Sequence, residues 1–119
     1  SEPLYICGDK QLISIVIENF LSNALKYTIP HGNVKVKVYR KGHNAIFSIF
    51  NETDTSLNSK TIWDSAYKLG NGTGRVNGVG LSLCKKILCS NKYHYGCKKE
   101  SGGVIFFFET KIKKTKGEH

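Results

Sequence analysis

Between residues 9 and 28 the apolar side chains Leu12, Ile13, Val16, Ile17, Phe20, Leu21 and Ala24 recur at the i, i+3, i+4 spacing of an amphipathic helix. Asp9 stands where an N-cap belongs. A stripe of this width needs an apolar layer to cover it, and the next residues have the pattern for one. After the break at Pro30 and Gly32, the run Asn33-Val34-Lys35-Val36-Lys37-Val38-Tyr39-Arg40 alternates apolar with polar, the period of a half-buried strand. Lys41-Gly42-His43-Asn44 reads as the turn into a second strand over 45–50. The polar stretch 51–59 reads as a loop, and Ile62, Trp63, Ala66 and Tyr67 give 60–68 the spacing of a short helix. Five glycines follow within 69–80, enough backbone freedom to predict a mobile loop in the absence of a ligand. That loop opens into a second helix over 81–88, striped by Leu81, Cys84, Ile87 and Leu88. Two strands, 92–98 and 104–112, complete the pattern before a lysine-rich tail.

The chain's 119 residues suit one domain spanning 1–119. With 39% hydrophobic and 23% charged residues it lies in the globular range. No run approaches the roughly 20 apolar residues of a membrane span. The absence of methionine is expected of a piece from a longer protein. A formal charge of +9 predicts an anionic partner, but the lysines are dispersed along the chain and no nucleic-acid recognition motif focuses them, so no nucleic acid is expected. Cys7, Cys84, Cys89 and Cys97 form no Cys-x-x-Cys pair and read as free thiols of a reducing compartment.

On the first helix Asn19, Asn23 and Lys26 fall at i, i+4 and i+7 and form one row. Asn23 points into the apolar face, between the directions of Val16 and Leu12, where an unpartnered amide costs roughly 1–3 kcal/mol. Either a backbone group of the covering sheet or a metal ion with phosphate must satisfy it. Gly78-Val79-Gly80 offers the second element. A glycine-rich loop entering a helix presents free N–H groups and the positive end of the helix dipole to phosphate, although a plain flexible linker has the same composition. Taken together, amide oxygens for Mg²⁺, a lysine for phosphate and a glycine-lined helix start describe a Mg-nucleotide site.

These residues also carry a resemblance. Glu18-Asn19-Phe20-Leu21-Ser22-Asn23-Ala24-Leu25-Lys26-Tyr27-Thr28 resembles the N box of two-component sensor histidine kinases. Ile62-Trp63-Asp64-Ser65-Ala66-Tyr67-Lys68 is similar to their F box, and Gly78-Val79-Gly80-Leu81-Ser82-Leu83-Cys84-Lys85-Lys86-Ile87 to their second glycine box. The likeness extends over about 5–110 and implies the catalytic ATP-binding domain of the GHKL superfamily. The implied fold is a two-layer α/β sandwich, a mixed, mostly antiparallel sheet backed by helices, with a lid at about 69–77. Implied cofactors are ATP and Mg²⁺. Asn23 would ligate the metal with Asn19 beside it, Lys26 would contact phosphate, Tyr27 would border the nucleotide, and Gly78, Gly80 and Leu81 would line the phosphate end. ATP-hydrolysing relatives such as gyrase carry a glutamate at the position of Asn19; an amide cannot act as that general base, which favours a kinase.

Two positions depart from the family. The first glycine box normally supplies an aspartate to adenine and two glycines, whereas 51–55 reads Asn51-Glu52-Thr53-Asp54-Thr55, leaving Asn51 as the adenine partner. Ala66 replaces the usual phenylalanine of the F box. His31, His43 and His94 lack the His-Glu or His-Asp setting of a phospho-acceptor. The resemblance therefore implies that γ-phosphate goes to a histidine on a helical dimerisation domain outside this chain, within a membrane-bound homodimeric receptor whose cytoplasmic part signals to a response regulator. The alternative is a degenerate module that binds nucleotide weakly and acts through protein contacts.

Overall fold

In a computed structural model, the described residues are 3–54, 63, 68–69, 74–75 and 78–113. Helix α1 (Lys10–Tyr27) is followed by strands β1 (Val34–Lys41) and β2 (Asn44–Glu52), the short pair β3 (Lys68–Leu69) and β4 (Gly74–Arg75), helix α2 (Gly78–Ser90), and strands β5 (His94–Glu100) and β6 (Gly103–Lys111). Asp9 caps α1 as its position demands, its carboxylate accepting from the N–H groups of Gln11 and Leu12 at 2.9 and 3.1 Å. Among the described residues no helix is long and apolar enough to cross a membrane.

The four long strands form one antiparallel sheet in the order β1-β2-β6-β5. Its register sets the two faces. Across one row Val36 lies opposite Ile49, Ile49 opposite Phe106, and Phe106 opposite Cys97, so these side chains share a face. That is the face the helices cover. Ile13, Val16, Phe20 and Ala24 of α1 and Leu81, Cys84, Ile87 and Leu88 of α2 join Ile49, Val104, Phe106 and Phe108 in one core. Burying a residue such as Phe20 or Leu88 contributes about 2–3 kcal/mol. Trp63 completes the layer, its ring centroid 5.8 Å from Phe20, 4.9 Å from Tyr95 and 5.6 Å from Phe106. The helix-side valines of edge strand β1, Val36 and Val38, stay exposed.

The sandwich is thus the expected one, with every described strand pairing antiparallel. Several boundaries differ from the sequence reading. β2 continues through Asn51 and Glu52, which pair with Val104 and Gly103, so these polar residues belong to the sheet and not to a loop. α2 begins at Gly78, three residues ahead of the apolar stripe. Lys68 and Leu69 pair with Arg75 and Gly74, so the short helix does not extend to position 68 and the expected lid contains a two-rung ladder. The remainder of 60–67 and of 69–77, apart from Trp63, lies outside the described residues.

Candidate nucleotide site

α1 gathers the row foreseen on its surface in graded exposure: Asn19 is half-buried, Asn23 buried and Lys26 exposed. The Nδ2 of Asn19 donates to the Ile15 carbonyl at 2.8 Å, an arrangement in which Oδ1 is the atom that can serve a cation. Asn23 is 7% exposed and its Nδ2 has no hydrogen-bond partner among the described residues. Among the described residues no backbone carbonyl of the covering sheet accepts from that N–H group. A buried amide with unspent hydrogen-bonding capacity is what a residue held ready for a ligand looks like. The unspent N–H of Asn23 suits a phosphate oxygen, and the amide Oδ1 atoms would suit a hard cation shared with that phosphate, since amides supply neutral oxygen ligands and leave the phosphates to supply charge. Lys26 stands at the solvent end of the row with Nζ 5.5 Å from the Tyr27 ring centroid. Tyr27 itself is half-buried at the last turn of α1.

Asn51 is 3% exposed on the helix-covered face of β2, the same face as Ile49. Its position relative to α1 is fixed by backbone bonds that the sequence does not announce. The Ile29 N–H donates to the Glu52 carbonyl at 3.0 Å, the Glu52 N–H to the Asn33 carbonyl at 2.9 Å, and the Asn33 N–H to Glu52 Oε1 at 2.9 Å. Glu52 therefore clamps the end of α1 to the end of β2, a positioning role that composition alone had assigned to an ordinary loop residue. Its only advance signal is its place immediately after Asn51. The backbone of Gly78 and Gly80 forms the first turn of α2, and Leu81 just beyond is buried in the same core as Phe20 and Ala24, the neighbours of Asn23 on α1. Trp63 is a core residue.

Cys84 and Cys97 lie in the core behind the site, and burial pushes both thiols up to about 12, an effect partly opposed at Cys84 by a backbone hydrogen bond. Neither is a nucleophile at neutral pH.

The family model described as histidine kinase-, DNA gyrase B-, and HSP90-like ATPase matches residues 8–114. The chain belongs to this family. Within it the chain carries the histidine-kinase form of the ATP-binding catalytic domain. The adaptive-response sensory kinase SasA of Synechocystis is 37% identical over 95 residues, covering 76% of this chain and 24% of the relative. The sensor protein KdpD of Clostridium acetobutylicum is 33% identical over 116 residues, covering 90% of this chain and 13% of the relative. This chain thus spans a quarter or less of the length of these relatives. Among solved structures, the mycobacterial sensor histidine kinase MprB superposes with a TM-score of 0.75 at 17% identity, covering 91% of this chain and 75% of that one. Full-length ShkA in complex with AMPPNP gives 0.79 at 21% identity, covering 97% and 24%. These likenesses speak for the fold.

Proposed function

We propose that this chain is the phosphoryl-donor domain of a two-component sensor kinase. It binds Mg-ATP between α1 and α2 and passes the γ-phosphate to a histidine on a helical dimerisation domain of the parent protein, from which a response regulator receives it. In this reading residues 1–119 are a single catalytic domain of a longer, membrane-bound homodimer. The observation that carries the proposal is buried Asn23, whose Nδ2 has no partner among the described residues, in line with Asn19 and Lys26. Asn23 and Asn19 would hold Mg²⁺, which draws charge off the phosphates when bound. Lys26 neutralises the phosphate chain, Tyr27 borders the nucleotide, and Asn51 receives the adenine amino group. The N–H groups of the Gly78–Gly80 turn and the α2 dipole face the phosphates, with Leu81 packing beneath and 69–77 as the lid. Asn19 cannot remove a proton from water, so the nucleotide is kept for transfer and not for hydrolysis.

Titration calorimetry with ATP, in Mg²⁺ and in EDTA, tests this directly. Asn23→Ala is expected to abolish Mg²⁺-dependent binding while the circular dichroism spectrum stays unchanged. Unaltered Mg-ATP affinity would remove Asn23 from the site. Phosphorylation of the isolated chain on histidine is not expected, and acid-labile phosphate appearing on it would contradict the assignment of the acceptor to another domain.

A further inference from the structure

The face of the sheet turned away from the helices has a composition of its own. Two uninterrupted rows cross it: Lys35, Phe50, Ile105 and Lys98 in one, and Lys37, Ser48, Phe107 and Gly96 in the next. Among the described residues no helix packs here, and the surface holds an open depression of about 680 Å³ beside Lys37, Lys98 and Phe107, with Glu100 and Glu109 also in its lining, and a smaller one of about 270 Å³ beside Lys35 and Phe50. The two phenylalanines lie down on bare backbone. A Cβ placed on Gly96 would stand 2.8 Å from Phe107 Cζ, and one on Gly103 would stand 2.7 Å from Phe50 Cε1, so each ring occupies the space that a side chain on its neighbouring strand would take. A lysine attends each ring, with Lys98 Nζ 5.1 Å from the Phe107 centroid and Lys35 Nζ 5.9 Å from that of Phe50. The lysines that look scattered along the sequence are brought together here by the strand order, with Lys41 and Lys111 two rows further on.

We infer that this face binds single-stranded nucleic acid, with bases stacking on Phe50 and Phe107 and backbone phosphates on Lys35, Lys37 and Lys98. The chemistry of the face selects the occupant. Flat-lying aromatic rings on the two central strands of a four-stranded antiparallel sheet suit unpaired bases, and interleaved lysines suit the phosphates between them. Protein interfaces, in contrast, are depleted in lysine. Carboxylates bound the track. Glu109 lies one row beyond Phe107, with Oε2 accepting from Asn44 Nδ2 at 2.6 Å. Glu52 and Glu100 lie one row beyond Phe50 on the other side, Glu52 already engaged with the Asn33 N–H. A polyanion therefore runs across the strands and not along them, from the β1 edge to the β5 edge. Three strand spacings make that path roughly 14 Å, room for a few nucleotides.

Fluorescence anisotropy with a fluorescein-labelled dodecamer of deoxythymidine in low salt tests the inference. Binding is expected with a log–log salt slope of roughly −2, the value for two or three phosphates on a single strand. A matched duplex should bind at least tenfold more weakly. The double variant Lys35→Glu/Lys98→Glu should lose more than tenfold in affinity, and Phe107→Ala should lose about as much. If Phe107→Ala proves unfolded by circular dichroism, the lysine pair, which is on the surface, decides alone. The inference is overturned by an absence of oligonucleotide binding, by equal affinity for the duplex, by affinity unchanged in the lysine variant, or by poly-glutamate displacing the oligonucleotide as well as unlabelled dodecamer does. The last result would reduce the interaction to net charge.

Discussion

Asn23 and Asn51 are two buried amides, and Asn23 Nδ2 is a donor without a partner among the described residues. A buried donor left unpaired, as Asn23 Nδ2 is among the described residues, costs roughly 1–3 kcal/mol. That cost is recovered only when something occupies the site, so stability and nucleotide binding are linked. Asn51 differs in offering a neutral acceptor where a carboxylate would make a charge-assisted hydrogen bond. Asn51→Asp is expected to tighten ATP binding several-fold, about 1 kcal/mol, by calorimetry. The same change buries a carboxylate at a position only 3% exposed. Burial raises the folded-state pKa of that group above its unfolded value, so the contribution is stabilising at low pH and is lost as pH rises. Without nucleotide the variant should melt close to the parent near pH 4 and well below it at pH 7, with added Mg-ATP restoring much of the difference. ATP affinity that stays level or falls would mean adenine is read elsewhere.

The elements themselves end where tertiary pairing decides, more than where composition changes. Asn51 and Glu52 look like loop residues because Asn and Glu are poor strand formers, yet ladder partners on β6 hold them in the sheet. The stripes of α1 and α2 were legible because each buries one face against a sheet. The end of α2 was less so. There Lys92 donates to the Cys89 carbonyl at 3.0 Å and Tyr93 to the Leu88 carbonyl at 2.9 Å, the pairing of a Schellman cap, with Lys92 itself at φ +61°. This position favours glycine, and a lysine there pays for its Cβ. Relief of that strain exceeds the added freedom of the unfolded chain, so Lys92→Gly should stabilise by about 0.5 kcal/mol and raise the melting temperature by roughly 2–3 °C. A lower melting temperature would show that the lysine stem contributes packing that the cap geometry does not reveal.

Across the whole molecule, the layer architecture could be read from two periodicities, while the strand order could not, because no local pattern says that β6 inserts between β2 and β5. That insertion assembles the lysine and phenylalanine rows of the open face, and charge dispersed in sequence gave no sign of it. The core thiols report on the same assembly. Cys84 and Cys97 titrate near 12 in the folded chain against an ordinary 9.0, so the stability they contribute is complete below pH 9 and drains away between 9 and 12. Thermal melts of the reduced chain should fall steeply above pH 9, and a Cys84→Ala/Cys97→Ala variant should show a flatter profile. Equal slopes would mean that water reaches the thiols in the folded state. The placement of β6 also has a consequence for birth on the ribosome. The β1-β2 hairpin and α1 emerge first, but the strand that must lie beside β2 is separated from it by everything in between, and it emerges after the rest of the sheet. Until it does, Phe20 and Ile49 have no Phe106 to pack against, and the nascent chain carries an unpaired strand edge beside an uncovered apolar stripe. Folding of this domain is therefore late and concerted, its local hairpins waiting for one long-range pairing whose loop-closure entropy sets the pace.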